Sequence, residues 1–278
     1  MSISTLPQLR TRRAVFWRQE TIAAAQGSLA ARLYAPAEIE PEAGLVLHLH
    51  GGSFSSGSLA EGEAVATALA EAGAVVMSID YPLAPGHRFP EALETAYAAL
   101  QTLAKGRARW ASKLAPLYVA GEEAGGNLAA ALALMARDRR GPELAGQILF
   151  SPMLDACLGT YSLRTAEAGP VGCRWADGWA DYLGTPDKAA HPYAAPLNAS
   201  RLAGLAPALL ISSQDDPLRD EAAHYAARLQ EAGVTVRHHV QTGPTQWPDA
   251  YAGAPEEGSC LSLACNHVAE FYALTAPP

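Results

Sequence analysis

The chain has 278 residues, 49% of them hydrophobic and 17% charged, a composition that buries a sizeable core and excludes both disorder and a fibrous repeat. Lys and Arg number 20 against 28 Asp and Glu, a formal net charge of −8. That argues against a general binder of nucleic acid or of an anionic membrane, because phosphate contacts need a basic surface.

The predicted elements, in chain order, begin with residues 14–36, which read as an antiparallel edge hairpin. Short apolar runs follow at Leu45–His50, Ala74–Ile79, Leu117–Ala120, Gln147–Phe150, Ala208–Ser212 and Val234–Val240. Several are continuously apolar, as strands covered on both faces are. Between them lie helix-like stretches near residues 60–72, 90–105, 124–137, 219–232 and 258–274. Such alternation predicts an α/β fold, a mostly parallel sheet with helices on both faces. No internal repeat or low-complexity linker interrupts it, so residues 1–278 are read as a single domain. Residues 154–185 break the rhythm with Gly, Pro and the large side chains Tyr161, Trp175, Trp179 and Tyr182. Trp175 and Trp179 stand about one helical turn apart and share a face. They read equally well as a helix packed on the core or as a small lid insertion over a pocket.

The longest apolar run, Leu128 to Ala136, is too short to span a bilayer, and the first ten residues lack the apolar core of a signal peptide. Cys157, Cys173, Cys260 and Cys265 form neither CxxC pairs nor a disulfide framework, and no His flanks them at zinc-finger spacing. A cytoplasmic protein with no metal and no organic cofactor is expected. The basic cluster Arg137-Asp138-Arg139-Arg140 falls at a predicted helix end, where it complements the helix dipole.

Two segments carry chemistry. His48-Leu-His50-Gly51-Gly52-Ser53-Phe54 follows a predicted strand, and its glycines let backbone N–H groups approach a ligand oxygen. Leu117–Leu128 reads as a strand, a tight corner flanked by Gly121 and Gly125, and a helix start. That is the G-x-S-x-G nucleophile elbow of α/β-hydrolases, with Glu123 in place of the serine.

These segments make the chain resemble the hormone-sensitive-lipase-like family of α/β-hydrolases, which includes bacterial carboxylesterases and acetyl hydrolases. His50-Gly-Gly-Ser is similar to the family's HGGG segment, and Asp80–Pro90 to its D-Y-R-L-A-P-E-H-x-F-P block. Gly121–Leu128 matches its G-D-S-A-G-G-N-L elbow, and Pro207–Glu221 its acid-bearing strand and loop. The resemblance implies an α/β-hydrolase fold with oxyanion donors at the N–H groups of Gly52, Ser53 and Ala124. It places the triad acid at Asp216, the nucleophile at Glu123 and the histidine at Gln246. Glu122 stands where the family has Asp. Trp175, Trp179 and Trp247 are the pocket or lid candidates. Dimers of related esterases form through the last strand and helix, and a homodimer is left open here on resemblance alone.

Serine esterase chemistry needs an alkoxide made by a neighbouring base, and neither Glu123 nor Gln246 supplies its part. None of the other histidines has the expected placement: His191, His238, His239 and His267 read as structural or surface, His50 and His87 as loop-shaping. Three readings of Glu123 stay open: a carboxylate nucleophile, a general acid or base in non-hydrolytic chemistry, or a silent carboxylate filling its own oxyanion hole. The functional expectation is a protein of carboxylesterase descent that binds a small acyl or ester-like molecule, with ordinary Ser-His-Asp hydrolysis removed. The alternatives are elimination, isomerisation or cyclisation through Glu123, or silent ligand binding.

Overall fold

Strands β1 (Val15–Ala24) and β2 (Gly27–Pro36) form an antiparallel hairpin along one side of an eight-stranded sheet, and β2 pairs antiparallel with β4 (Val75–Ile79). From there the sheet is parallel: β4, β3 (Leu45–Leu49), β5 (Leu117–Glu122), β6 (Gly146–Phe150), β7 (Ala208–Ser213) and β8 (Val236–Gln241). The computed structural model describes residues 13–24, 27–166, 169–242, 251 and 259–276.

Every residue of β3 to β7 is buried, which is why those strands read as unbroken apolar runs rather than as an alternation. Their side chains still divide by parity. Leu45, Leu47 and Leu49 pack into the core shared with α2 (Glu91–Lys105), α4 (Ala124–Asp138) and α7 (Arg219–Glu231), after α1 (Glu63–Glu71) and the short α3 (Arg107–Trp110) are set aside. Val46 faces the opposite core, with α1 and α8 (Cys260–Thr275). At β8 the burial becomes partial, as befits the edge of the sheet.

Between β6 and β7 the chain forms α5 (Tyr161–Thr165) and α6 (Gly169–Leu183), followed by two short 3-10 turns. The expected helices and strands are present with boundaries moved by a few residues. The predicted helix at 60–72 is α1 at 63–71, and the strand at 234–240 is β8 at 236–241. The four-residue α3 carried no periodic signal because one turn shows no period.

Arg137 and Arg139 are paired. Arg137 donates to the carbonyls of Arg201 and Ala203, and Arg139 forks onto Glu94. The basic cluster is therefore a set of structural ties more than a dipole complement. None of the four cysteines forms a disulfide among the described residues, and Cys157 and Cys173 are exposed. Among the described residues no helix is long and apolar enough to cross a membrane, and no group of three or more His, Cys, Asp or Glu side chains is placed to hold a metal.

The strand order reverses at β3: the chain moves outward to β4, then returns to β5 on the other flank of β3. In an open parallel sheet the crevice at such a switch point, at the carboxyl ends of the strands, is where ligands bind. Here the loop after β3 and the corner after β5 meet in that crevice.

Candidate active site

The corner after β5 is tight because the chain passes from strand to helix through Glu123 alone, at φ 54° and ψ −116°. That left-handed backbone costs a residue with a Cβ ~1–3 kcal/mol and persists only when its surroundings fix it. They do: the Glu123 N–H donates to the Phe150 carbonyl at 3.0 Å, and its own carbonyl accepts from Asn127 N–H at 3.1 Å and Met153 N–H at 3.0 Å. The Asn127 amide ties the same loop further, donating to the carbonyls of Met153 and Ala194 at 2.8 and 3.0 Å. Gly125 is required beside it, since a Cβ there would drive into the Leu49 carbonyl.

Glu122, the second departure in the elbow, holds the facing loop. One carboxylate oxygen accepts from Gly51 N–H at 3.0 Å and the other bonds His48 Nε2 at 2.8 Å. His48 Nδ1 in turn meets the Ser78 hydroxyl at 2.9 Å. The Tyr81 hydroxyl donates to the His50 carbonyl at 2.7 Å, and the two rings stack with centroids 4.3 Å apart. His50 Nδ1 bonds the Gly51 carbonyl, and burial lowers the imidazole's pKa. His48 and His50 thus shape the loop, as expected of His50 from the sequence.

The side chain of Glu123 does not fill the oxyanion hole. Its Oε1 accepts from the Ser53 hydroxyl at 2.7 Å and from the Trp175 indole N–H at 2.8 Å. The N–H groups of Gly52, Ser53 and Ala124 have no acceptor among the described residues. This corrects the reading of a carboxylate bonded to its own oxyanion donors. The reason lies in two side chains: the hydroxyl of Ser53 and an indole from α6 take up the carboxylate oxygen Oε1. Sequence reasoning took Ser53 only as a backbone donor and Trp175 only as a wall. The signal that could have found the contact was the pairing of two motif departures, a new hydroxyl in one loop and a new carboxylate in the other.

Helix α6 lies directly on this loop. Trp175 and Trp179, the lid or pocket candidates, are both buried. Gly178 packs so closely on Ser53 that a Cβ there would enter the Ser53 carbonyl. Phe54 stacks on Tyr182 with centroids 4.1 Å apart and planes at 4°, and meets Trp179 at 4.8 Å. Each such aromatic pair adds about 0.5–1.5 kcal/mol beyond its buried area. The helix is therefore both packed on the core and seated on the candidate site.

At the end of β7 stands Asp216, buried, with one oxygen accepting from Leu218 N–H at 2.8 Å. The other oxygen has no hydrogen-bond partner among the described residues. Burial pushes its carboxyl up to about 6, against the pull of the neighbouring Ser151 hydroxyl and the Leu218 N–H. Five residues on, Glu221 is buried as well. One of its oxygens accepts from Leu154 N–H at 2.6 Å and Asp155 N–H at 3.0 Å, the other has no partner among the described residues, and burial pushes the carboxyl up to about 8. Gln246 and Trp247, assigned to the histidine position and the pocket, lie outside the described residues. The structure brings Gly52, Ser53, Glu123, Ala124 and Trp175 together at the switch point and places Asp216 at the carboxyl end of β7. His238, His239 and His267 are remote from the elbow on β8 and α8, where His239 and His267 stack at 3.6 Å.

A parallel sheet with a strand–elbow–helix corner at its switch point defines an α/β-hydrolase, and the chain matches the sequence profile of the alpha/beta hydrolase fold family over residues 46–245. The chain belongs to that family, and its likeness to carboxylesterases is borne out. It is 36% identical over 215 residues to the carboxylesterase NlhH of Mycobacterium tuberculosis, covering 74% of this chain and 66% of that protein. The chain thus spans just under two thirds of that relative's length. It is 31% identical to an arylesterase of Saccharolobus solfataricus over 81% of this chain and 73% of that one. Among solved structures, a thermostable esterase from Pseudomonas putida superposes with a TM-score of 0.82 at 28% identity, over 95% of this chain and 84% of that one. An esterase from the archaeon Pyrobaculum calidifontis superposes at 0.81 with 34% identity, over 94% and 87%.

Proposed function

We propose that this carboxylesterase-like protein binds a small acyl or ester-like molecule at the N–H groups of Gly52, Ser53 and Ala124, and that the ordinary Ser-His-Asp route to hydrolysis is absent. The observation that carries this reading is how the Glu123 carboxylate is engaged: it accepts from the Ser53 hydroxyl and the Trp175 indole at 2.7 and 2.8 Å and from none of the oxyanion N–H groups among the described residues. Donors without an acceptor are what a carbonyl oxygen of a ligand needs. At the elbow itself, a carboxylate cannot become the alkoxide that the family's first step requires. A carbonyl ligand is favoured over a free carboxylate, because a second negative charge beside Glu123 is repelled. The cytoplasmic setting expected from the sequence is proposed with it: Cys157 and Cys173 are exposed thiols, which a reducing compartment preserves.

The test pairs binding with turnover. Methyl propyl ketone, the uncleavable analogue of ethyl acetate, is titrated calorimetrically. Hydrolysis of p-nitrophenyl acetate is then followed at micromolar protein. The reading expects saturable binding of the ketone, with turnover far below that of an intact serine triad. Absence of binding, or turnover at ordinary esterase rates, overturns it.

A further inference from the structure

The Ser53 hydroxyl and the Glu123 carboxylate form a pair that the family's mechanism does not contain. Hydroxyl and carboxylate oxygens are 2.7 Å apart, and the Trp175 indole fixes the same carboxylate oxygen from the other side at 2.8 Å. A nucleophile in hydrogen-bond reach of a base, the base itself oriented by a third group, is the arrangement that activates a hydroxyl. Both residues sit on left-handed backbone, Ser53 at φ 53° and Glu123 at φ 54°, and such strained positions cluster where side chains must be aimed. The Ser53 N–H and its neighbour Gly52 N–H lie on the same turn as the hydroxyl. An oxyanion formed on an acyl group bonded to Ser53 therefore meets donors from the residue that attacked it.

The geometry points to Ser53 as a relocated nucleophile for acyl transfer, with Glu123 as its general base. This rests on the acyl-binding reading above and deepens it. In the first step the Ser53 oxygen bonds the acyl carbon, its proton passes to Glu123, and the carbonyl electron pair moves onto oxygen beside the N–H donors. Collapse of that intermediate breaks the bond to the alcohol, which leaves with the proton from Glu123. Water then attacks the acyl-Ser53 ester, again giving its proton to Glu123. The Ser53 oxygen departs with that proton, and the carboxylic acid is released. Ester plus water gives acid plus alcohol, with no other reactant. Ser53 is fully buried under Gly178 of α6, so the acyl donor enters when α6 lifts and the Trp175 bond to Glu123 breaks.

The experiment exposes the full chain to an ethyl fluorophosphonate, whose adduct on a serine oxygen is stable, and locates the adduct by peptide mass mapping. Methyl propyl ketone binding is measured alongside. The expected result is an adduct on Ser53, absent in Ser53→Ala and formed at least ~100-fold more slowly in Glu123→Gln. Glu123→Gln keeps an acceptor for both donors but no base. Mapping the unaltered protein decides the case even if Ser53→Ala fails to fold. Ketone binding with no adduct on Ser53 overturns the nucleophile and leaves the binding reading standing. Neither ketone binding nor adduct overturns both. An adduct on Ser53 that forms equally fast in Glu123→Gln overturns the role of the base.

Discussion

The elbow and the acid corner stand at the carboxyl ends of strands of the same sheet, yet their carboxylates are treated in opposite ways. At the elbow, Glu122 and Glu123 are both engaged. Glu122 joins Gly51 to His48, and Glu123 joins Ser53 to Trp175. At the acid corner, Asp216 and Glu221 are both buried, and each has one oxygen with no donor among the described residues. A buried carboxylate oxygen without a donor is destabilising. The elbow's carboxylates are fixed by named donors, while those of the acid corner sit in burial that raises their pKa.

The sharpest way to break the comparison is to restore the old chemistry. If the acid corner and oxyanion donors still serve, Glu123→Ser combined with Gln246→His raises kcat/KM for p-nitrophenyl acetate by ~1,000-fold or more over the unaltered chain. No gain would mean that the corner has lost its competence too. Next in size is Glu123→Ala, which leaves the Ser53 hydroxyl and the Trp175 indole without their acceptor and costs about 2–4 kcal/mol of stability, read by denaturant unfolding. An unchanged midpoint would show that the rebuilt contacts contribute nothing.

The acid corner is probed by pH. Glu221 has a folded pKa of about 8 against 4.5 in an ordinary setting, so between those values the native chain holds a proton that the unfolded chain has released. Stability therefore falls as pH rises from 4.5 to 8 and is level above. Glu221→Gln keeps an oxygen acceptor for Leu154 and Asp155 without that slope. It should match the unaltered protein near pH 4.5 and exceed it at pH 8 by on the order of 4 kcal/mol. The separate fall from Asp216, between 3.8 and about 6, should persist in both. Equal stability at pH 8 would place a donor on the unpaired Glu221 oxygen. The smallest effect is expected from Trp175→Phe. It keeps an aromatic ring in the core but removes one bond to Glu123, for about 1 kcal/mol of stability and faster entry of ligand beneath α6. Slower entry would show that α6 is not what covers the site.

Much of this was legible in the sequence for physical reasons. Buried parallel strands leave apolar runs, and the elbow leaves Gly121 and Gly125 at fixed spacing because backbone must pass close to backbone. The side-chain contact at the heart of the site was not legible. Ser53 and Glu123 are 70 positions apart, and Trp175 is another 52 beyond. No local period encodes that meeting. Only the return of the chain across β3 and the seating of Gly178 on Ser53 bring the three together. The fit of α6 was hidden for the same reason, since a Trp pair one turn apart looks alike whether it faces a core or a crevice.

The account turns on whether the oxyanion donors receive a carbonyl while Glu123 stays aside. The direct measurement is the carbonyl-carbon NMR shift of isotopically labelled methyl propyl ketone, free and bound. Hydrogen bonds from Gly52, Ser53 and Ala124 polarise the carbonyl, so the account predicts a single bound resonance displaced clearly downfield of the ketone in water. A bound resonance at or upfield of the aqueous position, as in an apolar cleft without donors, would contradict it.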